Sequence, residues 1–343
     1  MYIFGTNKNK LYSLNRNQLI SNLTTVDGHS FDSVAIDLFR YQYINNSIYK
    51  SWVDTLNIKE SEVNVLDDIP FLPISAFKNH DVVSQDGHAG HVFTSSGTTD
   101  SRPSRHLVFD MELYCDNTEI IFSEFYGKIE NYCYLALLPN YIERGGSSLV
   151  AMVEHFISKS EYSESGFYLY DHENLNNKIA HCQNEGIPTV LFGVSFALLD
   201  YLDVYQHDFQ ELIVIETGGM KGRKKEMTKS QLQKLLASGF GVNHVHSEYG
   251  MTELFSQAYS KQDGIFFPAK SMKIITKEIT DPFYDSQFGK SGVINVIDLA
   301  NIDSCAFIET QDLGRLHSDG SFEVLGRLDA ADIRGCNLMV SDL

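Results

Sequence analysis

Apolar and polar positions repeat with two different periods along the chain, and the change of period divides it into regions. Residues 1–69 have a helical pattern, since the stretch 33–43 places apolar and aromatic side chains at helical intervals. From residue 70 to residue 290, continuous apolar runs alternate with helical patterns. The runs are 132–138, 189–192 and 211–217, and a helical pattern follows the second of them at 196–202. This alternation predicts an α/β fold with buried sheets.

The pattern changes again in residues 291–343. Two short strand patterns, at 291–297 and 321–325, lie between glycine turns, and a C-terminal tail follows them. We therefore expect three units along the chain. They are an N-terminal helical region at 1–69, an α/β body at 70–290, and a small β segment with its tail at 291–343.

Composition narrows the class of protein. The 343 residues suit one large domain or two, and 43% of them are hydrophobic, which is enough for a sizeable core. The 27 basic residues against 45 acidic ones give a net charge of -18, which argues against nucleic acid and against anionic membranes as partners. The N-terminus has no basic stretch followed by a long apolar core, and no apolar run has transmembrane length. A cytoplasmic protein with no transmembrane segment is the expectation.

The five cysteines are dispersed, and none of them forms a Cys-x-x-Cys pair. This spacing argues against a zinc site and favours reduced thiols. His244 and His246 lie two residues apart on a predicted strand, hence on one face, but no third ligand stands at a suitable spacing. We interpret these histidines as structural.

A hydroxyl-rich loop follows the strand-like segment 91–93. It consists of Thr94, Ser95, Ser96, Gly97, Thr98 and Thr99. Small side chains let hydroxyl groups and backbone N–H groups surround phosphate oxygens. No Gly-Lys-Ser/Thr follows, so this is not a Walker A loop. Taken alone, such a loop is more often an ordinary solvated loop.

Two later blocks change that interpretation. The first is Ser247-Glu248-Tyr249-Gly250-Met251-Thr252-Glu253, and the second runs from Thr310-Gln311-Asp312 to Gly326-Arg327. The order and spacing of the three blocks resemble the adenylate-forming superfamily of acyl-CoA synthetases, luciferases and adenylation domains. Within it, the chain resembles the acyl-protein synthetase family of bacterial bioluminescence operons and its relatives, the phenylacetate-CoA ligases. Residues 71–78, 141–149 and 334–339 support the resemblance to the acyl-protein synthetases. The resemblance runs from about residue 70 to the C-terminus.

The resemblance implies an α/β fold, the large N-terminal domain of the adenylate-forming fold, with stacked α/β sheets and a small β segment. The superfamily's mobile C-terminal domain carries a lysine for adenylation. It is expected to be absent, since the chain ends at Leu343 just after the segment that leads into it. The implied enzyme is an AMP-forming ligase that activates a carboxylic acid, here a fatty acid, to an acyl-adenylate. It then transfers the acyl group to a protein cysteine thiol. ATP and Mg²⁺ are the implied cofactors.

The same resemblance implies a role for each nucleotide-site residue. The hydroxyl loop would hold the β- and γ-phosphates, Thr252 the α-phosphate, and Glu253 the Mg²⁺ ion. The adenine would lie between Tyr249 and the backbone that follows the strand at 211–217; the residues implied here are Tyr249, Gly250, Gly218 and Gly219. Asp312 would accept hydrogen bonds from both ribose hydroxyls, and Arg327 would support the ribose or phosphate. Ordinary turn, cap and surface roles are the simpler alternatives for these residues.

Two cysteines of this protein are candidate acceptors of the acyl group. The resemblance implies Cys336, with Arg334 nearby to lower the pKa of the thiol. Cys305 competes with it, but its apolar neighbours favour a core position. CoA or the thiol of a carrier protein remains an alternative, and an acyl reductase or another acyl-acceptor protein is the implied partner. Ser195 and Arg144 are assigned to the pocket for the acid.

Three other functions remain open. The first is an AMP-forming acyl-CoA ligase of the phenylacetate-CoA ligase type. The second is a serine hydrolase, because Gly193–Ala197 resembles a nucleophile elbow with Ala in its last position, which would make Ser195 the nucleophile. The third is a nucleotide-binding scaffold without catalysis, against which the retention of Glu253 and Asp312 argues.

Overall fold

The computed structural model describes residues 15–95, 102–139, 146–218 and 228–328, and the statements below concern these ranges. Their helices are α1 (Arg16–Leu23), α2 (Phe31–Asn45), α3 (Ser47–Thr55), α4 (Ala76–Asn79), α5 (Met111–Tyr126), α6 (Ser148–Lys159), α7 (His172–Glu185), α8 (Ser195–Leu202) and α9 (Lys229–Phe240). Their strands are β1 (Leu72–Pro73), β2 (His91–Thr94), β3 (Arg105–Val108), β4 (Cys133–Leu137), β5 (Gly166–Phe167), β6 (Thr189–Val194), β7 (Ile213–Thr217), β8 (His246–Tyr249), β9 (Ala258–Ser260), β10 (Ile265–Pro268), β11 (Met272–Lys277), β12 (Ser291–Asp298), β13 (Phe307–Leu316) and β14 (Phe322–Arg327).

Twelve of these strands form one sheet, and β2 and β3 form a separate antiparallel pair. The order across the large sheet is β11-β12-β13-β14-β10-β9-β8-β7-β6-β4-β5, with β1 attached to β13. The five strands at one end of this order are parallel; they are β5, β4, β6, β7 and β8. The rest of the order is antiparallel, and it runs from β8 through β9, β10, β14, β13 and β12 to β11. The strands after residue 290 therefore continue the same sheet as the parallel strands.

Helices cover both faces of the parallel half, which is why its strands read as continuous apolar runs. Alternate strand residues point to opposite faces. On one face, Leu135, Leu191 and Val214 join side chains of α7, α8 and α9 in one core cluster. On the other, Tyr134 and Phe192 pack with Phe122 of α5 and Phe156 of α6. The carboxyl ends of β6, β7 and β8 meet at one edge of this layered body, where open parallel sheets bind ligands.

The N-terminal helices pack against the connection between β12 and β13. The side chain of Gln42 on α2 donates to Asn301 O at 2.8 Å and accepts from Ala306 N at 2.9 Å. At the start of α1, Arg16 forms ion pairs with Asp303 at 2.7 Å and with Asp110, the N-cap residue of α5, at 2.9 Å. These contacts fix the segment around residues 298–306, which also borders the candidate site.

The predicted helices and strands agree closely with those of the structure. The helical pattern at 33–43 is confirmed as α2, and the three apolar runs are confirmed as β4, β6 and β7. The helix predicted at 196–202 is α8, and the strand patterns at 291–297 and 321–325 are β12 and β14. Within the described ranges, no helix combines the length and the apolar character needed to cross a lipid bilayer. The α/β fold class is confirmed.

Candidate functional site

Several residues predicted for the site lie outside the described ranges. They are Ser96, Gly97, Thr98, Thr99, Arg144, Gly219 and Cys336, together with Arg334. The remaining predicted residues are described, and they fall into three neighbouring groups along the carboxyl edge of the sheet and its β2–β3 flank.

The first group is the base of the hydroxyl-rich loop, which connects β2 to β3. Ser95 N donates to Ser104 O at 3.1 Å, and Ser104 N donates to the Ser95 hydroxyl at 2.9 Å, so the two ends of the loop are joined. Thr94 N donates to Gly146 O at 2.6 Å. Gly146 has a φ of +89°, and a Cβ there would lie 2.9 Å from Thr94 Oγ1. Only glycine fits this close approach between the loop and the residues before α6.

Glu253 lies beside the base of this loop. Its side chain is buried. Burial raises the pKa of Glu253, and the nearby Ser104 side chain and the charges of Arg327 and Lys78 oppose that rise. The sequence places Glu253 about 150 residues from Ser104, so only the tertiary fold brings this carboxyl group to the loop.

Three buried side chains, none of them predicted from the sequence, hold the backbone around Glu253. His106 Nδ1 lies 2.8 Å from Thr252 O, so that nitrogen must carry the proton. Burial lowers the pKa of His106 to about 4, which keeps the imidazole neutral. Asn301 Nδ2 donates to Glu253 O at 2.8 Å. Asp298 accepts from the backbone N–H groups of Phe255 at 2.7 Å and Ser256 at 2.9 Å.

The second group joins β8 to the hairpin formed by β13 and β14. Tyr249 Oη donates to Asp312 Oδ2 at 3.0 Å, and Arg327 Nε donates to Asp312 Oδ1 at 3.3 Å. Asp312 and Arg327 are direct partners in the β13–β14 register. Burial, followed by the Asp312 charge, raises the pKa of Tyr249 and keeps its hydroxyl a donor. The Tyr249 ring packs on Phe266 and Phe322.

These contacts bring together three residues that the sequence assigned to one nucleotide. Each Asp312 oxygen already accepts one hydrogen bond and retains a further lone pair. The Arg327 side chain is 72% exposed and the Asp312 side chain only 12%, so the arginine is free to move while the carboxylate is fixed. The role of these residues in binding ribose or adenine stays a prediction.

The third group occupies the carboxyl ends of β6 and β7. Ser195 is fully buried, and its hydroxyl lies 2.5 Å from Glu216 Oε1 and 2.9 Å from Gly218 O. A hydroxyl has one proton, so both contacts are satisfied at once only when Glu216 is protonated and donates. Burial raises the pKa of Glu216, which favours that arrangement. Among the described residues, no histidine is hydrogen-bonded to Ser195, and a serine hydrolase would need such a base.

Glu248 and Lys229 complete this group, and neither was predicted to be a site residue. Thr217 Oγ1 donates to Glu248 Oε2 at 2.6 Å. Burial and the Glu216 charge raise the pKa of Glu248 to about 7, against the effects of Thr217 and Lys229. The Lys229 ammonium lies 4.2 Å from the centroid of the Phe266 ring, and burial lowers its pKa. The one feature of the sequence that could have indicated this group is Glu216, a glutamate at the end of the apolar run 211–217.

Glu248→Gln should change how stability depends on pH. The unfolded glutamate ionises near its ordinary value of 4.5, whereas the folded one holds its proton to about 7. Between these values the folded state binds more protons, so the wild type loses unfolding free energy as pH rises. Because the residue is partly exposed, we expect a discounted loss of about 2 kcal/mol between pH 5 and pH 8 that the variant lacks. Urea unfolding at each pH measures the free energy of unfolding. If this free energy changed with pH in the same way for the wild type and the variant, the assignment would be contradicted.

His246 is one of the two histidines interpreted as structural, and it packs against a tyrosine of α5. His246 Nδ1 lies 3.0 Å from the Tyr126 hydroxyl, and its ring stacks on that tyrosine with centroids 5.6 Å apart. Burial lowers the pKa of His246 to about 4. No group of three or more His, Cys, Asp or Glu side chains in the described ranges could hold a metal ion by itself.

Comparison with known proteins places this geometry in a known architecture. No protein-family model matches the sequence, and no curated protein matches it either. Solved structures do resemble the fold. A 2-hydroxyisobutyryl-CoA ligase in complex with 2-HIB-AMP and CoA superposes with a TM-score of 0.66 at 12% identity, over 87% of this chain and 70% of that one.

Two further solved structures have the same architecture. ATP-bound MatB from Rhodopseudomonas palustris has a TM-score of 0.53 at 17% identity, over 71% of this chain and 49% of that one. The O-succinylbenzoate coenzyme A synthetase MenE from Bacillus subtilis, in complex with ATP and magnesium ion, has a TM-score of 0.51 at 18% identity, over 71% and 51%. The chain thus spans about half the length of MatB and MenE. The likeness establishes the fold, and the function has to be argued from the residues.

Proposed function

We propose that this chain is an AMP-forming acid–thiol ligase, which uses ATP to convert a carboxylic acid to an acyl-adenylate. One observation carries the proposal: the buried carboxyl group of Glu253 lies close enough to Ser104, at the base of the hydroxyl-rich loop, for that side chain to lower its pKa. An acidic side chain beside a loop rich in hydroxyl donors suits a triphosphate with its cation. Supporting it, the fold is shared with ligases solved with ATP or with an acyl-AMP adduct.

The proposed chemistry needs alignment and charge neutralisation more than covalent help from the protein. An oxygen of the substrate carboxylate attacks the α-phosphorus, the bond to the β-phosphate oxygen breaks, and pyrophosphate leaves. In our assignment the hydroxyl-rich loop holds the β- and γ-phosphates and Thr252 contacts the α-phosphate. The adenine lies along Gly218, Gly219, Tyr249 and Gly250, and the ribose hydroxyls donate to Asp312 with Arg327 nearby.

Glu253 is suited to hold Mg²⁺ together with phosphate oxygens. Mg²⁺ in such sites takes one or two carboxylates and completes its shell with water and substrate phosphates, so one acidic side chain is sufficient. Bound there, the ion would neutralise charge on the phosphates. The remaining steps are the work of the chain itself. Asn301 and His106 hold the backbone carbonyls of Glu253 and Thr252, and thereby fix both side chains relative to the loop.

A pyrophosphate exchange assay with a panel of acids tests the proposal. The full chain, ATP, Mg²⁺ and labelled pyrophosphate should yield labelled ATP only when an acid is present. The panel should include saturated fatty acids, which the sequence resemblance implies, and also aromatic, hydroxy and amino acids. Absence of exchange with every acid, while ATP still binds, would favour a nucleotide-binding scaffold. Ester hydrolysis without ATP would favour a hydrolase.

Asp312→Ala should weaken nucleotide binding, because it removes the proposed acceptor for both ribose hydroxyls. We expect a rise in the ATP KM of about tenfold and a smaller increase in melting temperature with ATP and Mg²⁺. Asp319→Ala is a matched control, since Asp319 is exposed and hydrogen-bonds only within its own turn. A melting-temperature increase in Asp312→Ala equal to that of the wild type would exclude the ribose contact.

The proposed acceptor of the acyl group is the thiol of Cys336. The cysteines in the described ranges are poor nucleophiles. Burial raises the pKa of Cys305 to about 12 and that of Cys115 to about 11. Cys133 and Cys182 are fully buried against each other, with their sulfurs 3.8 Å apart. A thiolate is the reactive form of cysteine, which argues against Cys305 and Cys115. The hydrogen bond with Cys133 lowers the pKa of Cys182 to about 7, but both cysteines are fully buried and a substrate cannot reach either of them. An acyl reductase or other acyl-acceptor protein would receive the group next.

Cys336→Ser should separate the two half-reactions. With labelled acid, ATP and Mg²⁺, the wild type should acquire a thioester that neutral hydroxylamine removes. The variant should retain pyrophosphate exchange but hold no hydroxylamine-labile label, because a neutral hydroxyl is a far weaker nucleophile than a thiolate. Cys115→Ser, a partly buried cysteine of α5, should keep the label. Label on Cys336→Ser would overturn the assignment, and rapid formation of acyl-CoA without labelled protein would favour a CoA ligase.

A further inference from the structure

A cavity of about 110 Å³ lies beside the base of the hydroxyl-rich loop, and basic side chains surround it. Lys78 comes from α4, and Arg102 and Arg105 come from the segment that leads out of the loop and into β3. Asp81 is the one carboxylate among the described lining residues. We call this cavity the basic pocket. Its volume holds a few water molecules or one small anion, and it is too small for a nucleotide.

The backbone around the basic pocket is fixed by the core. Phe77 of α4 is buried, and its ring packs against that of His106, the residue after Arg105, with centroids 5.8 Å apart. Arg105 is the register partner of Thr94, the first residue of the hydroxyl-rich loop. Directly opposite residues of an antiparallel pair place their side chains on the same face. The basic pocket is therefore held next to the loop that we assign to the β- and γ-phosphates.

The basic pocket is positively charged, although the chain as a whole has a net charge of -18. Arg105 forms an ion pair with Asp81 at 3.0 Å, and their side chains remain 41% and 53% exposed, so this pair is open to exchange. Lys78 and Arg102 have no carboxylate of the described ranges within ion-pair distance. Two positive charges are therefore left over for a ligand.

Residues outside the described ranges do not remove this excess. The stretch that completes the loop, 96–101, contains a single acid, Asp100. All the undescribed residues together contain eight basic and six acidic side chains. Because most of an acidic surface repels anions, a positive cavity on it concentrates them locally.

The basic pocket is within electrostatic range of the proposed reaction. Burial raises the pKa of Glu253, and the charge of Lys78 is one of those that oppose the rise. Such an effect requires the ammonium group to lie near the carboxyl group, since Coulomb interactions weaken with distance and are screened by salt. An anion released beside Glu253 is therefore attracted toward Lys78.

We propose that the basic pocket is a second anion site, separate from the hydroxyl-rich loop, which receives pyrophosphate as it leaves the loop. The inference rests on the proposed function, because the proposed reaction supplies the pyrophosphate. Lys78, Arg102 and Arg105 donate to its oxygens, and Arg105 exchanges its Asp81 partner for a phosphate oxygen. Guanidinium and ammonium groups form strong charge-assisted hydrogen bonds with phosphate. Pyrophosphate held there no longer lies in line with the acyl-adenylate, which slows the reverse reaction.

Exchange kinetics of the full chain test the inference, with an acid from the panel and with ATP and pyrophosphate varied separately. Arg102→Gln and Arg105→Gln should each raise the KM of pyrophosphate at least about fivefold and that of ATP less than about twofold, because each removes a charge that contacts only the free product. An equal rise of both KM values would place these side chains on the phosphates of ATP and overturn the second site. No exchange with any acid removes the proposed function, and direct binding of pyrophosphate then decides about the pocket.

Calorimetric titration of the full chain with sodium pyrophosphate measures that binding without ATP or acid. Asp81→Asn should tighten it at least about twofold, because the variant removes the described carboxylate of the pocket and frees Arg105. Loss of folding cannot produce tighter binding. Arg105→Gln should weaken it at least about fivefold. Arg40→Gln is the matched control, since Arg40 of α2 is a 45% exposed arginine paired with Glu60 at 3.4 Å, and its removal should leave the Kd unchanged.

The loop also binds phosphate groups in our assignment, so the differences among variants are decisive. A Kd that changes in neither Asp81→Asn nor Arg105→Gln overturns the inference. Sulfate that binds as tightly as pyrophosphate, with the same response to the variants, would show a nonspecific anion site and would also overturn it. A third contrary result is CoA binding that needs both Arg105 and the 3′-phosphate, measured against dephospho-CoA, when pyrophosphate does not bind. That result would assign the pocket to CoA.

Discussion

Glu253→Gln should lower pyrophosphate exchange by at least about a hundredfold while the protein stays folded. A hundredfold loss corresponds to about 2.7 kcal/mol of transition-state stabilisation, a typical effect of one group that neutralises developing charge. The amide has nearly the same size as the carboxyl group and can still accept a hydrogen bond from a neighbouring hydroxyl. It also removes a buried ionisable group whose pKa is raised by burial, so we expect no loss of stability.

Two measurements make this result specific to charge. A magnesium titration should show that the variant needs more Mg²⁺ for half-maximal exchange, which a purely structural role would not produce. Glu124→Gln provides a control, because it neutralises an exposed glutamate of α5 that accepts a hydrogen bond from a backbone N–H group. Near-normal exchange by a folded Glu253→Gln at limiting Mg²⁺ would contradict the metal role and the observation on which the proposed function depends.

Asp298→Ala should reduce the free energy of unfolding by about 3 kcal/mol, because it leaves several buried donors without an acceptor. The fully buried Asp298 carboxylate accepts four hydrogen bonds: from Phe255 N at 2.7 Å, Ser256 N at 2.9 Å, Ser256 Oγ at 2.6 Å and Ala300 N at 3.1 Å. These bonds tie the end of β12 to the segment that directly follows Glu253. Urea unfolding at neutral pH measures the change.

The same substitution should also reduce exchange activity in the fraction that remains folded, since Glu253 loses part of its backbone support. Asp116→Ala, on the exposed side of α5, removes an aspartate without buried partners and should change stability by less than about 0.5 kcal/mol. If Asp298→Ala had the same urea midpoint of unfolding as the wild type, the hydrogen-bond network around Asp298 would not be a main support of this segment.

The alternation of buried strands and amphipathic helices could be predicted from the sequence, because the local repeat of apolar positions defines each element. Apolar runs such as 132–138 and 189–192 became β4 and β6, and the helical pattern at 33–43 became α2. Motif chemistry was local too. The hydroxyl-rich loop and the Tyr249–Glu253 block are each continuous in sequence, so their residues could be selected without knowing how far apart they lie.

Long-range partners could not be read in the same way. The sheet places β14 beside β10 and β1 beside β13, pairings that join residues far apart in the chain. Glu253 reaches Ser104, and Tyr249 reaches Asp312, only through this order of strands. His106, Asn301 and Asp298 carry no motif. They are recognised as supports of the site only because their partners are backbone groups, which leave no trace in residue identity.

The α/β class and the identity of the loop and motif residues follow from local patterns in the chain. Which side chains share one site depends on the packing of distant segments. Glu216 and Glu248 are ordinary strand-end glutamates in the sequence, yet neighbouring parallel strands bring them together beside Lys229. Burial and proximity set the charge of a carboxyl group, and both are properties of the packed fold rather than of the local sequence.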